Sequence, residues 1–92
     1  MQVYVVCYDI TDDGIRNRIA KALLAYGERV QYSVFEIAVE NADILEKVCK
    51  ELREISDEDS EIRLYRLCAT CRQDSHLLDG QHIAQMPEVL IL

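Results

Sequence analysis

QVYVVCYDITDDG, residues 2–14, holds both a strand and the signal that ends it. Val3, Val5 and Cys7 alternate with Tyr4, Val6, Tyr8 and Ile10, so both sets are apolar and rich in β-branched or aromatic side chains. A period of two with apolar residues on either side predicts a central strand covered on both faces. Because successive side chains point to opposite faces, Asp9 falls on the side of Val3, Val5 and Cys7. A run made for burial thus ends on a carboxylate. One reading is plain: a strand-end residue that turns the chain or caps the next helix. The other is chemical, because Asp9 at the mouth of a central strand, with Arg16 a helical turn away, is placed to hold a divalent metal for phosphate-ester chemistry. One carboxylate makes a thin metal site, and a two-fold axis passing close by would supply its mate.

Downstream, Thr11, Asp12 or Asp13 can cap a helix whose buried stripe is Ile15, Ile19, Leu23 and Tyr26, stopped by Gly27. Arg16 lies in its first turn, and Arg18 and Lys21 lie off the stripe. In GERVQYSVFEIAVEN, residues 27–41, Val30, Tyr32 and Val34 alternate, as do Phe35, Ile37 and Val39, but the face changes between Val34 and Phe35. That phase change is either a bulge or two short strands meeting near Tyr32 and Ser33, with no Gly or Pro to mark a turn. Asn41 caps a second helix over 42–55, with Leu45, Val48, Cys49, Leu52 and Ile55 inward and a Glu46–Lys50 pair outside. A solvated turn, SDEDSE, leads to a strand over 61–68 in which Ile62 and Leu64 oppose Tyr65 and Leu67. Residues 71–87 are polar and broken, with at most a short strand at 76–78, and EVLIL at 88–92 reads as a terminal strand. This order predicts a single α+β domain over 1–92, a ferredoxin-like βαββαβ plait with an extra C-terminal strand. The bare sheet face and the apolar tail both want a partner, which a symmetric homodimer supplies.

The formal net charge of -7 argues against a generic basic nucleic-acid binder. The distribution of that charge tempers the exclusion: the acidic excess lies in 36–59, whereas Arg16, Arg18, Lys21 and Arg29 leave a local basic patch beside the first helix. No apolar run approaches the roughly 20 residues that cross a bilayer, and no basic leader opens the chain, so no membrane association and a cytoplasmic location are expected. Cys7 and Cys49 fall in apolar patterns, and reduced thiols are expected throughout. Cys68 and Cys71, with His76 and His82, offer four zinc-ligand types, but the gap between Cys71 and His76 is shorter than in a finger, and thiols at a strand end beside loop histidines are the simpler explanation. The series Asp9, Thr11, Asp13, Gly14 imitates the opening of a calcium loop, yet its twelfth position is Ala20 where a bidentate Glu is needed.

In combination, YDITDDGIRNRIAKALLAYGERVQYSVFE, residues 8–36, resembles the small CRISPR-associated endoribonuclease family, the partner of the CRISPR integrase in spacer acquisition. The resemblance is carried by the Tyr-Asp-Ile strand end, the Arg-Asn-Arg helix start, the Tyr-Gly helix end and the Gln-Tyr-Ser-Val-Phe strand, and YRLCATC at 65–71 looks like the family's fourth-strand exit. It implies a homodimer in which 88–92 adds to the partner's sheet, with Asp9 as the metal-binding catalytic aspartate facing its two-fold mate and Mg²⁺, or Mn²⁺, as cofactor. Tyr8, Arg16, Ser33 and Phe35 match further catalytic positions, and Arg16, Arg18 and Arg29 are implied to hold an RNA or DNA backbone. The implied chemistry is phosphodiester hydrolysis of single-stranded RNA or double-stranded DNA. The alternative is a catalytically idle dimer that bridges integrase subunits and holds the duplex. Gly14 stands where a bulkier turn residue is common, and 72–87 follow no firm pattern. Arginines directed at phosphates predict little sequence preference and a steep salt dependence.

Overall fold

The computed structural model describes residues 1–84; the strand expected at 88–92 lies outside them. The chain runs β1 (Gln2–Asp9), α1 (Asp13–Leu24), β2 (Gly27–Gln31), β3 (Val34–Val39), α2 (Ala42–Ile55), β4 (Glu61–Leu67) and α3 (Ala69–Gln73). The strands form one antiparallel sheet in the order β2-β3-β1-β4, so each βαβ crossover skips one strand, as a ferredoxin-like plait requires. The long apolar run of β1 takes a central place in that sheet, and α1 and α2 cover one face.

The core lies between the helices and that face, and it contains Tyr4, Val6, Tyr8 and Ile10 of the first segment with Phe35, Ile37, Val39, Ile19, Leu23, Val48 and Leu52. Of the three candidate caps for α1, Asp12 is the one used: its carboxylate accepts the Ile15 N–H at 2.8 Å. Asn41 caps α2 through the Ile44 N–H at 3.0 Å, while Glu46 pairs with Arg53 at 2.9 Å and not with Lys50. The phase change between Val34 and Phe35 has two causes acting together. A turn at 32–33 joins β2 to β3, and a register shift between Arg29 and Gln31 leaves Val30 as an extra residue. Val30 and Tyr32 are therefore exposed although their spacing imitates a buried face. Gly27 is demanded by proximity, since a Cβ there would lie 1.9 Å from the Glu36 carbonyl oxygen on β3.

Among the described residues of one chain the second face of the sheet is covered unevenly. Val3, Glu36 and Ala38 are buried, Val5 and Cys7 half-buried, and Asp9 exposed. Ala84 is itself buried and its backbone N–H reaches the Glu36 carboxylate, so the chain beyond α3 returns across part of this face. Burial pushes the Glu36 carboxyl above the usual carboxylate range, Glu28 opposite it on β2 adds to the effect, and the Ala84 N–H opposes it. After β4, α3 stands where the sequence predicts broken chain; five residues are too few to show a helical period. The strand expected at 76–78 is reduced to a single bridge between His76 and His82. Among the described residues no helix is long and apolar enough to cross a membrane.

Candidate functional site

Asp9 ends β1 on the open face, opposite Glu61 of β4. It is exposed, and its carboxylate makes no hydrogen bond or ion pair among the described residues. Around it lies a shallow cleft of about 270 Å³ lined by Cys7, Tyr8, Asp9, Glu61, Arg63 and Tyr65. Asp9 and Glu61 sit directly across an antiparallel pair, a like-charge arrangement that costs stability unless a cation offsets it. Arg63 is one such cation, bound to Glu61 at 3.0 Å and donating to the Tyr65 hydroxyl at 3.2 Å.

Tyr8 and Phe35 lie on the opposite side of the sheet from Asp9. Tyr8 is buried, its hydroxyl has no hydrogen-bond partner among the described residues, and its ring stacks on Phe35 with centroids 6.3 Å apart. Phe35 has no exposed surface. The Ser33 carbonyl accepts the Tyr8 N–H at 3.1 Å, so the 32–33 turn holds the backbone just before Asp9. Tyr8, Ser33 and Phe35 thus form a packed support under the strand end, while Asp9 alone of this group reaches the open face.

Two of the three candidate arginines, Arg16 and Arg29, meet at the tip of the β2–β3 hairpin. Arg16 donates from Nη1 to the Ile10 carbonyl at 3.0 Å and from Nε to the Tyr32 hydroxyl at 3.1 Å, and it pairs with Asp13. Tyr32, foremost, and the Asp13 charge hold the Arg16 guanidinium firmly protonated, above its already high ordinary value. Arg29 donates to the Tyr32 carbonyl at 3.0 Å, and its guanidinium lies 5.2 Å from the Tyr32 ring centroid and 5.4 Å from that of Phe35. Tyr32 carries Arg16 on the same ring, at 5.6 Å. The structure therefore brings Arg16 and Arg29 together through one exposed tyrosine and leaves Arg18 apart, exposed on α1.

The sequence and the fold both have relatives among known proteins. Residues 1–75 match the family model described as CRISPR associated protein Cas2. This chain belongs to the Cas2 family. It is 44% identical over 72 residues to a CRISPR-associated endoribonuclease Cas2 of Rhodospirillum rubrum, covering 77% of this chain and 57% of that protein. A relative of the same description from Chloroflexus aurantiacus is 43% identical over 79 residues, with 84% and 85% covered, and one from Synechocystis is 33% identical over the full length of both. The chain thus spans little more than half of the first of these relatives. Among solved structures, a chain of a partial Cas6-RT-Cas1–Cas2 complex superposes with a TM-score of 0.82 at 32% identity, covering 92% of this chain and 99% of that one. Streptococcus pyogenes Cas2 superposes at 0.71 with 30% identity, covering 83% and 98%.

Sequence reasoning passed over two side chains of this Cas2-family site. Tyr32 reads as one more strand aromatic because no spacing ties it to Arg16, and Arg63 enters only through the β1–β4 register, which exists only once the sheet is assembled. As a metal centre, the donors near Asp9 fit a hard divalent cation in kind, being carboxylate oxygens. They fall short in number within one chain, since no group of three or more metal-ligating side chains converges among the described residues. Asp9 would need ligands beyond the described residues to complete such a centre.

Proposed function

We propose that this chain is a CRISPR adaptation protein that works in the cytoplasm with the CRISPR integrase. In this reading two copies joined through the open sheet face form a metal-dependent endonuclease for single-stranded RNA or double-stranded DNA. The placement of Asp9 carries the reading: exposed, on the open face, at the end of a central strand, and without a partner among the described residues. A symmetric pair through that face sets one Asp9 against the other, and the two charges repel until a cation lies between them. Bound there, Mg²⁺ or Mn²⁺ would supply charge neutralisation and polarisation at a scissile phosphate. Tyr8, Ser33 and Phe35 hold the strand end and thereby aim the Asp9 carboxylate. Arg16, Arg18 and Arg29 grip phosphates, and two of the three are braced on Tyr32 before any substrate arrives. The relatives' name, endoribonuclease, and the solved neighbour that contains Cas1 with Cas2 support this reading.

A second reading, a catalytically idle dimer that bridges integrase subunits and holds the duplex, is favoured by one observation. Glu61, the carboxylate directly across the strand pair from Asp9, is already paired with Arg63. Asp9→Asn separates the two when cleavage and spacer acquisition are both measured on a variant whose dimer and duplex binding are intact. The nuclease reading expects cleavage to be lost. Unchanged cleavage would remove Asp9 from the chemistry, and lost cleavage with intact acquisition would assign the adaptation role to the scaffold.

A further inference from the structure

The sequence Cys68-Ala-Thr-Cys71 leaves β4 at the end remote from Asp9, since β4 starts opposite Asp9 and reaches Val3 by Leu67. Both cysteines are exposed and reduced, and their Sγ atoms lie 3.3 Å apart. The Cys71 N–H points at the Cys68 sulfur from 3.4 Å. A disulfide needs its sulfurs at about 2.0 Å, so closing the pair takes a shift of roughly 1 Å at a solvent-facing turn. We propose that Cys68 and Cys71 form a thiol–disulfide exchange site, with Cys68 attacking and Cys71 resolving, whose co-substrate is a low-molecular-weight disulfide.

Geometry and electrostatics divide the roles in the same way. The Cys71 N–H, and after it the Cys71 thiol, lower the Cys68 thiol below its ordinary value, while the same contact raises Cys71. In the first step the Cys68 thiolate attacks one sulfur of the external disulfide, forming a mixed disulfide at Cys68 and releasing one thiolate. Cys71 then loses its proton, attacks the Cys68 sulfur and displaces the second thiolate. The protein gives up two electrons, the external disulfide takes them, and the two thiol protons end on the two released thiols. Cys7 and Cys49, half-buried on β1 and α2, are outside this pair.

The test exposes the full-length chain to glutathione disulfide and follows intact mass and peptide maps with time. The wild type should lose about 2 Da and yield a Cys68–Cys71 cross-linked peptide, reversible by dithiothreitol. Cys71→Ser should stop at one glutathione on Cys68, and Cys68→Ser should react about tenfold more slowly at Cys71. Neither variant touches the Asp9 cleft, so neither should alter nucleic-acid cleavage or binding. An intermolecular disulfide, equal rates for the two single variants, or a stoichiometric zinc ion that leaves both thiols unreactive would each overturn the proposal.

Discussion

Phe35 is implied by family resemblance to belong to the catalytic set, but the fold gives it a packing role, and two substitutions separate these. Phe35→Ala deletes a side chain with no exposed surface that stacks on Tyr8 and lies under the Arg29 guanidinium. Such truncations cost about 3–5 kcal/mol, of which the lost ring pair accounts for about 0.5–1.5 kcal/mol. A domain of this size has about 5–14 kcal/mol in total, so the variant should remain marginally folded or lose its fold. With a urea slope near 2 kcal/mol per M, the unfolding midpoint should fall by about 2 M at fixed protein concentration. Phe35→Leu keeps most of the volume and should cost under about 1.5 kcal/mol, a shift below about 0.75 M. Its nucleic-acid cleavage and binding should stay close to wild type. A Phe35→Leu chain that unfolds normally yet loses cleavage as completely as Asp9→Asn would refute the reasoning, because Phe35 would then be acting on substrate.

Other consequences are equally open to measurement. Tyr32→Leu removes the shared brace of Arg16 and Arg29 and should weaken duplex binding, followed by fluorescence anisotropy, by about three- to tenfold; Arg16→Ala should then cost less in that background than in the wild type. Gly27→Ala must part β2 from β3 and should cost about 3 kcal/mol in urea unfolding, with β2 amides losing hydrogen-exchange protection. Because Glu36 binds its proton more tightly folded than unfolded, its contribution to stability is fully present below the ordinary glutamate pKa and is lost as pH rises through the raised value. Glu36→Gln should therefore melt higher than wild type at neutral pH and converge with it in acid, as thermal scans across pH 4–8 would record. Asp12→Ala should lower stability by about 1 kcal/mol, more than Asp13→Ala, which removes only an exposed pair.

Much of this fold was legible because burial writes periods into sequence. The set Tyr4, Val6, Tyr8 and Ile10, the stripe Ile15, Ile19 and Leu23, and the cap Asn41 each state their own environment. Reading failed where geometry is set by partners distant in the chain. Val30 and Tyr32 keep strand spacing although one is an extra bulge residue and the other a turn, and nothing local distinguishes that from a continuous strand. The site divides along the same line. Asp9 was visible because a carboxylate interrupts an apolar run, whereas the Tyr32 brace and the Glu61–Arg63 pair beside Asp9 depend on the hairpin and on the β1–β4 register. Which face of Tyr8 and Phe35 meets solvent could not be read from motif matching, and they prove to be buried.

The most direct trial of a shared Asp9 centre is to count ions and chains together, by titrating the metal-free protein with Mn²⁺ under electron paramagnetic resonance while sedimentation reports the assembly. One ion per two chains, lost in an Asp9→Asn protein that still pairs, is the expected result. An ion bound by each single chain, or binding that survives Asp9→Asn, would contradict it.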